Sequence, residues 1–396
     1  MGAGEKDEEK KVRRQARPNV LFEAGMALGR YPDRTLLVEI GKVKQFSDIS
    51  GLHVVRLTNA PEKRLDVANR LRRAGCSVST ESADWTKSGD FDYETPNVES
   101  GPSPAMAIGN DADPAWQIFG KKGSGTYEFS TPNGIALDER GRIYIADDGN
   151  NRIVRMDDMR GTNWTTLGGT QGRDQNQFCL PTGIAVDGNG RIYVADEGNN
   201  RIVFVSDITG AGWKSFGVPP ASQSCPAGVW VDASGHNIYV ADLTCGHIGL
   251  MNDIAGTGWR TFGNRGGAEN QFNNPWGVTL GPAGHIYVAD SGNSRIVRMN
   301  DIEGTGWTTI GSLGSGINQF SQPPGIAVDA LGRIYVADYA NNRIVRMNDM
   351  DGTGWTVCLG KGNDRFRRPN AVALDAGGYV YVTDQDNNRI VRFMMQ

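Results

Sequence analysis

From about residue 105 onward, apolar residues fall in short runs separated by turn residues, not at helical spacing. In the stretch 323–360 the runs 326–328, 334–337, 343–347 and 355–359 are rich in β-branched and aromatic side chains, and turn residues close each one. That pattern predicts four short strands. The first link, Asp329-Ala-Leu-Gly332, reads as a hairpin turn in which glycine takes a positive φ, and the second, 338–342, is equally tight. The first two runs are apolar on both faces and the outer two alternate more, as expected of inner strands covered on both sides.

The same unit is written six times. Its Ala-Asp (or Thr-Asp) pair recurs at Asp147, Asp196, Asp242, Asp290, Asp338 and Asp384, spaced 49, 46, 48, 48 and 46 residues apart. A period in that range marks a repeat architecture. A four-stranded sheet with two apolar faces needs neighbours on both sides, which radial stacking into a β-propeller supplies. Trp116, Trp164, Trp213, Trp259, Trp307 and Trp355 mark the outer strands, but Trp116 precedes the first unit and the last unit has no tryptophan of its own. Residues 115–120 are therefore expected to supply the fourth strand of the last blade, which closes a six-bladed ring and removes a bare sheet edge.

The recurring NNRIVRM and PxGIAVD motifs resemble the NHL repeat family over residues 105–396. No blade ends in Trp-Asp, which sets the chain apart from WD-type propellers. The fold class expected is mainly β, with a partial α/β segment before the ring. In that segment Asn19 begins a helix that runs to Gly29, 35–40 and 53–57 read as strands, and 61–74 is an amphipathic helix with Pro61 in its first turn and Gly75 at its stop. Residues 1–15 are charged, 16–80 form this segment, and 81–104, polar and punctuated by proline, read as a linker.

Charge separates the two parts. Residues 1–80 carry 16 Lys+Arg against 10 Asp+Glu, and the remainder carries 25 against 35. An acidic propeller without a basic cluster argues against nucleic acid as a partner. The charged start is unlike a secretory leader, and no apolar run reaches the roughly 18 residues of a membrane span; a cytoplasmic protein is expected. Five cysteines, Cys76, Cys179, Cys225, Cys245 and Cys358, show no metal-ligand spacing, and their odd number argues against a disulfide framework.

Glu23 is the only charge between residues 20 and 29 of a helix apolar all round, and a lone carboxylate there calls for a cleft or a partner. Favourable placement near the positive end of the helix is the structural alternative. RPNVLFEAG, the strand TLLVEI and SDISGLHVVRL resemble TIR-like domains of bacterial anti-phage effectors, which cleave NAD. The resemblance covers about residues 16–78, the C-terminal half of such a domain. It implies Glu23 as the catalytic residue, with Asn19 and Phe22 beside it at the nucleotide, and NAD as substrate, not as a bound cofactor.

In the propeller, the repeated Asp, Asn pair and Arg read as a turn cap with Asp–Arg pairing. Six equivalent copies do not make one reaction centre, so function is expected where the repeat breaks. Blade three breaks it most, with Leu243-Thr-Cys-Gly-His247 in place of the Gly-Asn-Asn-Arg turn, Cys225 before Pro226, and Trp230 in the inner strand. Blade four puts Trp276 at the Pro-x-Gly position. Trp276, His247, Cys225 and Cys245 are therefore the candidate ligand-binding residues at the channel mouth, for a protein, peptide, glycan or small molecule. No metal is expected, since Cys225, Cys245 and His247 lack an evident fourth ligand. Four histidines, His53, His236, His247 and His285, supply no cluster for a propeller lyase or hydrolase. Two functional classes follow: an NAD-cleaving effector governed by a sensing propeller in bacterial defence signalling, or a non-catalytic binding protein whose N-terminal part is a remnant.

Overall fold

The computed structural model describes residues 116–220 and 224–395, together with the backbone of two strands, Leu37–Ile40 and Val54–Leu57. These two strands pair in parallel, Leu37 with Val54 through Ile40 with Leu57, the arrangement of an α/β sheet. The two expected helices, the segment 81–104, Asn19, Phe22, Glu23 and Cys76 lie outside the described residues. The chain divides into two units, Met1–Ala105 and Met106–Gln396. Among the described residues no helix is long and apolar enough to cross a membrane.

The second unit is a six-bladed β-propeller of four-stranded antiparallel sheets. Blade five shows the pattern: Gly325–Val328 lines the axis, followed outward by Ile334–Asp338, Arg343–Met347 and Thr356–Cys358. The second strand is fully buried in five blades, and in blade six only its first residue, Tyr379, is partly exposed. The fourth strand is largely solvent-facing. Apolar side chains gather into six clusters, each drawn from two adjacent blades. A blade alone would expose both faces of its second strand, so the clusters hold only when the ring is closed.

The closing strand is Trp116–Phe119, which pairs with the third strand of blade six, Trp116 opposite Phe393 and Phe119 opposite Ile390. Trp116 packs against Phe366 and Phe393 with ring centroids 5.8 and 5.1 Å away. In blades one to five the corresponding tryptophan sits one residue before the fourth strand and packs at a tilt against a phenylalanine, which comes from the leading loop in four blades and from blade two's fourth strand, as Phe216, in blade three.

The glycine of the Pro-x-Gly motif has a steric cause. A Cβ on Gly134, Gly183, Gly228, Gly277 or Gly325 would collide with the backbone carbonyl at Thr182, Ala227, Trp276, Pro324 or Asn370 of the next blade. At that level of blades one to five the inner strand runs against the backbone of its neighbour, and a residue without a side chain is required; blade six carries Ala371 at the same position.

Deleting residues 105–120 removes the fourth strand of blade six and bares the apolar flank of Arg389–Met394. A fall in melting temperature on the order of 10 °C, or aggregation, is expected in a thermal scan. An unchanged melting curve would contradict closure by this strand.

Candidate ligand site at the channel mouth

One side-chain arrangement fixes the mouth. The aspartate ending each second strand is fully buried in all six blades. In blade five, Asp338 Oδ1 accepts from the Ser321 amide at 2.7 Å, and Oδ2 accepts from Asn341 Nδ2 at 2.9 Å and Arg343 Nε at 2.6 Å. The other ends of Arg343 donate to the carbonyls of Ser315 and Gln319, and its guanidinium lies 5.9 Å from the Trp355 ring. Asp147, Asp196, Asp290 and Asp384 repeat the three carboxylate bonds with Ser130, Cys179, Asn273 and Arg367 as amide donors. Burial pushes the Asp338 carboxyl up, and the amide, Asn341 and Arg343 hold it down. The residue after that asparagine adopts the left-handed conformation, Asn342 at φ 54° and, in blade four, Ser294 at φ 53°. From blade five it reaches the next blade, where Asn342 Oδ1 accepts from the Arg368 amide at 2.8 Å.

Blade three lacks this clamp. Cys245 stands where the first asparagine stands elsewhere and His247 where the arginine stands, paired across the ladder with Asp242. Asp242 accepts from the Ser224 hydroxyl at 2.6 Å and the Thr244 and Cys245 amides at 3.1 and 2.9 Å, with a longer bond of 3.3 Å from the Cys225 amide. His247 Nε2 lies 3.8 Å from Asp242 Oδ2 and makes no hydrogen bond. Burial depresses the imidazole's proton affinity more than Asp242 restores it, so His247 is no substitute for a guanidinium. The loop leading into blade three also lacks the buried phenylalanine that Phe129, Phe178, Phe272, Phe320 and Phe366 supply to the other blades.

The inner strands line an axial cavity of ≈ 300 Å³, and at one end it meets a second cavity of ≈ 530 Å³ that shares Trp276, Pro324 and Asn370. The second cavity also takes in Cys225, Leu243, Arg265, Gln322, Tyr339 and Gln385. Of the four residues singled out in the sequence, Trp276 and Cys225 face this mouth. Cys245 and His247 do not line it and group instead with Asp242. The Cys225 thiol donates to Glu197 Oε1 at 3.3 Å, and burial and that carboxylate push its pKa up to about 12. It is a neutral thiol, poorly suited to nucleophilic or metal chemistry.

The residue after the repeated aspartate forms a ring that sequence reasoning missed: Asp148, Glu197, Leu243, Ser291, Tyr339 and Gln385. The signal was available, since the position varies while the aspartate before it is the same in all six blades. Leu243, Ser291, Tyr339 and Gln385 of this ring line the mouth cavity, and Trp276 and Tyr339 give it an aromatic side, with Arg368 5.6 Å from the Tyr339 ring; the acidic pair Asp148 and Glu197 does not line it. Asp148 is pushed up to about 6, first by burial and then by the Glu197 carboxylate. Polar amides and two aromatic rings suit a polar ligand with a flat or hydroxylated face.

Five segments, residues 129–156, 178–203, 272–299, 320–347 and 366–393, match the family model NHL repeat. The matched segments fall in blades one, two, four, five and six and skip blade three. Residues 3–59 match the family model CAP12/Pycsar effector protein, TIR domain. No curated protein matches the sequence. Among solved structures, a protein of unknown function from Bacteroides thetaiotaomicron is 16% identical with a TM-score of 0.54, covering 78% of either chain. A gluconolactonase, XC5397 from Xanthomonas campestris, is 15% identical with a TM-score of 0.51, over 67% of this chain and 86% of that one. Virginiamycin B lyase from Staphylococcus aureus is 17% identical with a TM-score of 0.50, over 71% of this chain and 99% of that one. At these identities the likeness is one of fold.

A carboxyl held protonated more tightly in the folded protein than in the unfolded chain favours folding below about pH 4, and that contribution is lost as pH rises through about 6. Asp148→Asn is expected to remove this pH dependence and to raise stability at pH 7 by about 1–2 kcal/mol, allowing for solvent screening. Denaturant unfolding at pH 4, 5, 6 and 7 reads it; parallel curves for variant and parent would contradict the assignment.

Proposed function

Since this chain carries an NHL-repeat β-propeller together with a segment matching a TIR domain, we propose that it is an effector of defence type, in which the propeller recognises a ligand at the channel mouth and the N-terminal part cleaves NAD through Glu23. The observation that carries this reading is the occurrence of both family matches in one chain, residues 3–59 and the five repeats. Support for the recognising role comes from the mouth, where Trp276 interrupts a ring of small residues and the six blades cease to be equivalent.

The chemistry asked of Glu23 is limited. In NAD the bond between ribose C1′ and the nicotinamide ring nitrogen breaks with its electron pair passing to nicotinamide, which leaves neutral, so no general acid is required. The ribosyl cation is held by the carboxylate and captured by water, which adds its oxygen to C1′ and releases one proton. A single carboxylate can serve where most glycosidases use two, provided the ribose is gripped within about 3 Å of it. A second reading, a binding protein without catalysis, draws on the same mouth and differs only in Glu23.

Both halves are tested together. Nicotinamide release from NAD is measured on the full chain, alone and with a mouth ligand obtained by pull-down, beside Glu23→Gln and Trp276→Ala. Release is expected to fall to background in Glu23→Gln. Trp276→Ala should bind the ligand at least tenfold more weakly, as for a central aromatic anchor, and lose any stimulation. Release undiminished in Glu23→Gln would refute the catalytic assignment, and unchanged binding by Trp276→Ala would refute the mouth.

A further inference from the structure

Five of the six buried aspartates at the second-strand ends face a guanidinium, with Nε–Oδ2 distances of 2.6–2.8 Å. Asp242 is as deeply buried and faces none. The positions that supply the cation and the amide elsewhere have become His247 and Cys245, and the three side chains bring one carboxylate oxygen, one thiol sulfur and one imidazole nitrogen within 4.8 Å of one another. His247 is 8% exposed and its Nε2 points at Asp242 without a hydrogen-bond partner. The Cys245 thiol is hydrogen-bonded to the same carboxylate.

We propose that Asp242, Cys245 and His247 bind a divalent zinc ion, which takes the place of the guanidinium that the other blades set against this aspartate. Mixed oxygen, sulfur and nitrogen donors are the borderline set zinc accepts. Zinc–ligand bonds of about 2.0–2.3 Å put tetrahedral donors about 3.5 Å apart, so the three atoms close by about 1 Å on binding, with water in the fourth position. The thiol proton leaves to solvent as the thiolate forms. The sequence offered Cys225, Cys245 and His247 without an evident fourth ligand; in the structure the Cys225 thiol turns to Glu197, and Asp242, one of six repeated residues, stands beside the other two. The ligand turn also carries Leu243 and Thr244 into the wall of the mouth cavity, so the ion would stiffen the broken side of that site.

The full chain, stripped with a chelator and dialysed, is titrated with zinc chloride against a chromophoric competitor. One tight equivalent, release of about one proton and a raised melting temperature are expected. Cobalt(II) should give the intense absorption of a thiolate-ligated, tetrahedral ion. Cys245→Ser and His247→Gln should each weaken zinc at least tenfold, while Cys225→Ser binds as the parent does. His247→Arg should abolish binding and leave the protein folded by circular dichroism, because it restores the guanidinium. Should that variant not fold, His247→Gln with a native spectrum decides. No zinc bound by the parent, or binding that survives both Cys245→Ser and His247→Gln, would overturn the site.

Discussion

A fully buried carboxylate repeated around a ring is the constraint on which the propeller depends. Taking each aspartate out of water is costly, and the cost is offset only while an amide, an asparagine and an arginine all reach it. Those three donors come from the leading loop, the turn and the third strand, so one carboxylate ties three segments of a blade together. Losing the arginine alone would leave an unpaired buried charge, a loss of about 3–5 kcal/mol. The same guanidinium reaches the carbonyls of the leading loop and lies over the tryptophan, which carries the constraint from the mouth to the outer edge.

Such repetition makes a scaffold and gives no blade a role of its own. Distinct chemistry appears only where the repeat relaxes. The residue after the aspartate is unconstrained by the clamp, and it differs from blade to blade, acidic in blades one and two and aromatic in blade five. Blade three has lost the arginine, the asparagine pair and the leading-loop phenylalanine together, and it is the blade the family matches pass over. In the other blades these three belong to one network, since the guanidinium bonds the carbonyls of the leading loop that carries the phenylalanine; in blade three Asp242 holds that loop through the Ser224 hydroxyl and the Cys225 amide instead.

Much of this was legible in the sequence. Period, strand count and blade number followed from the spacing of the aspartates, and ring closure followed from the displaced Trp116, because both depend on local pattern and on sheet edges. The pairing of the repeated aspartate with arginine was also readable, since five residues of separation across a tight turn place them opposite one another. What failed to show was radial position. Nothing in the sequence says that Asp148 and Glu197 approach each other across two blades, or that Cys225 and Cys245, twenty residues apart and both at the mouth face of one blade, turn to different partners. Glu23, Asn19 and Phe22 belong to the segment outside the described residues, and their reading rests on motif and family match.

The central claim is that one clamp stabilises five blades and that blade three has traded it for something else. Amide hydrogen exchange, without added metal, measures this residue by residue. The amides of Ser130, Cys179, Asn273, Ser321 and Arg367, each 2.7 Å from its aspartate, should exchange only with unfolding of the whole propeller. The Cys225 amide, 3.3 Å from Asp242, should exchange through local opening at least a hundredfold faster. Equal protection at all six amides would contradict the account.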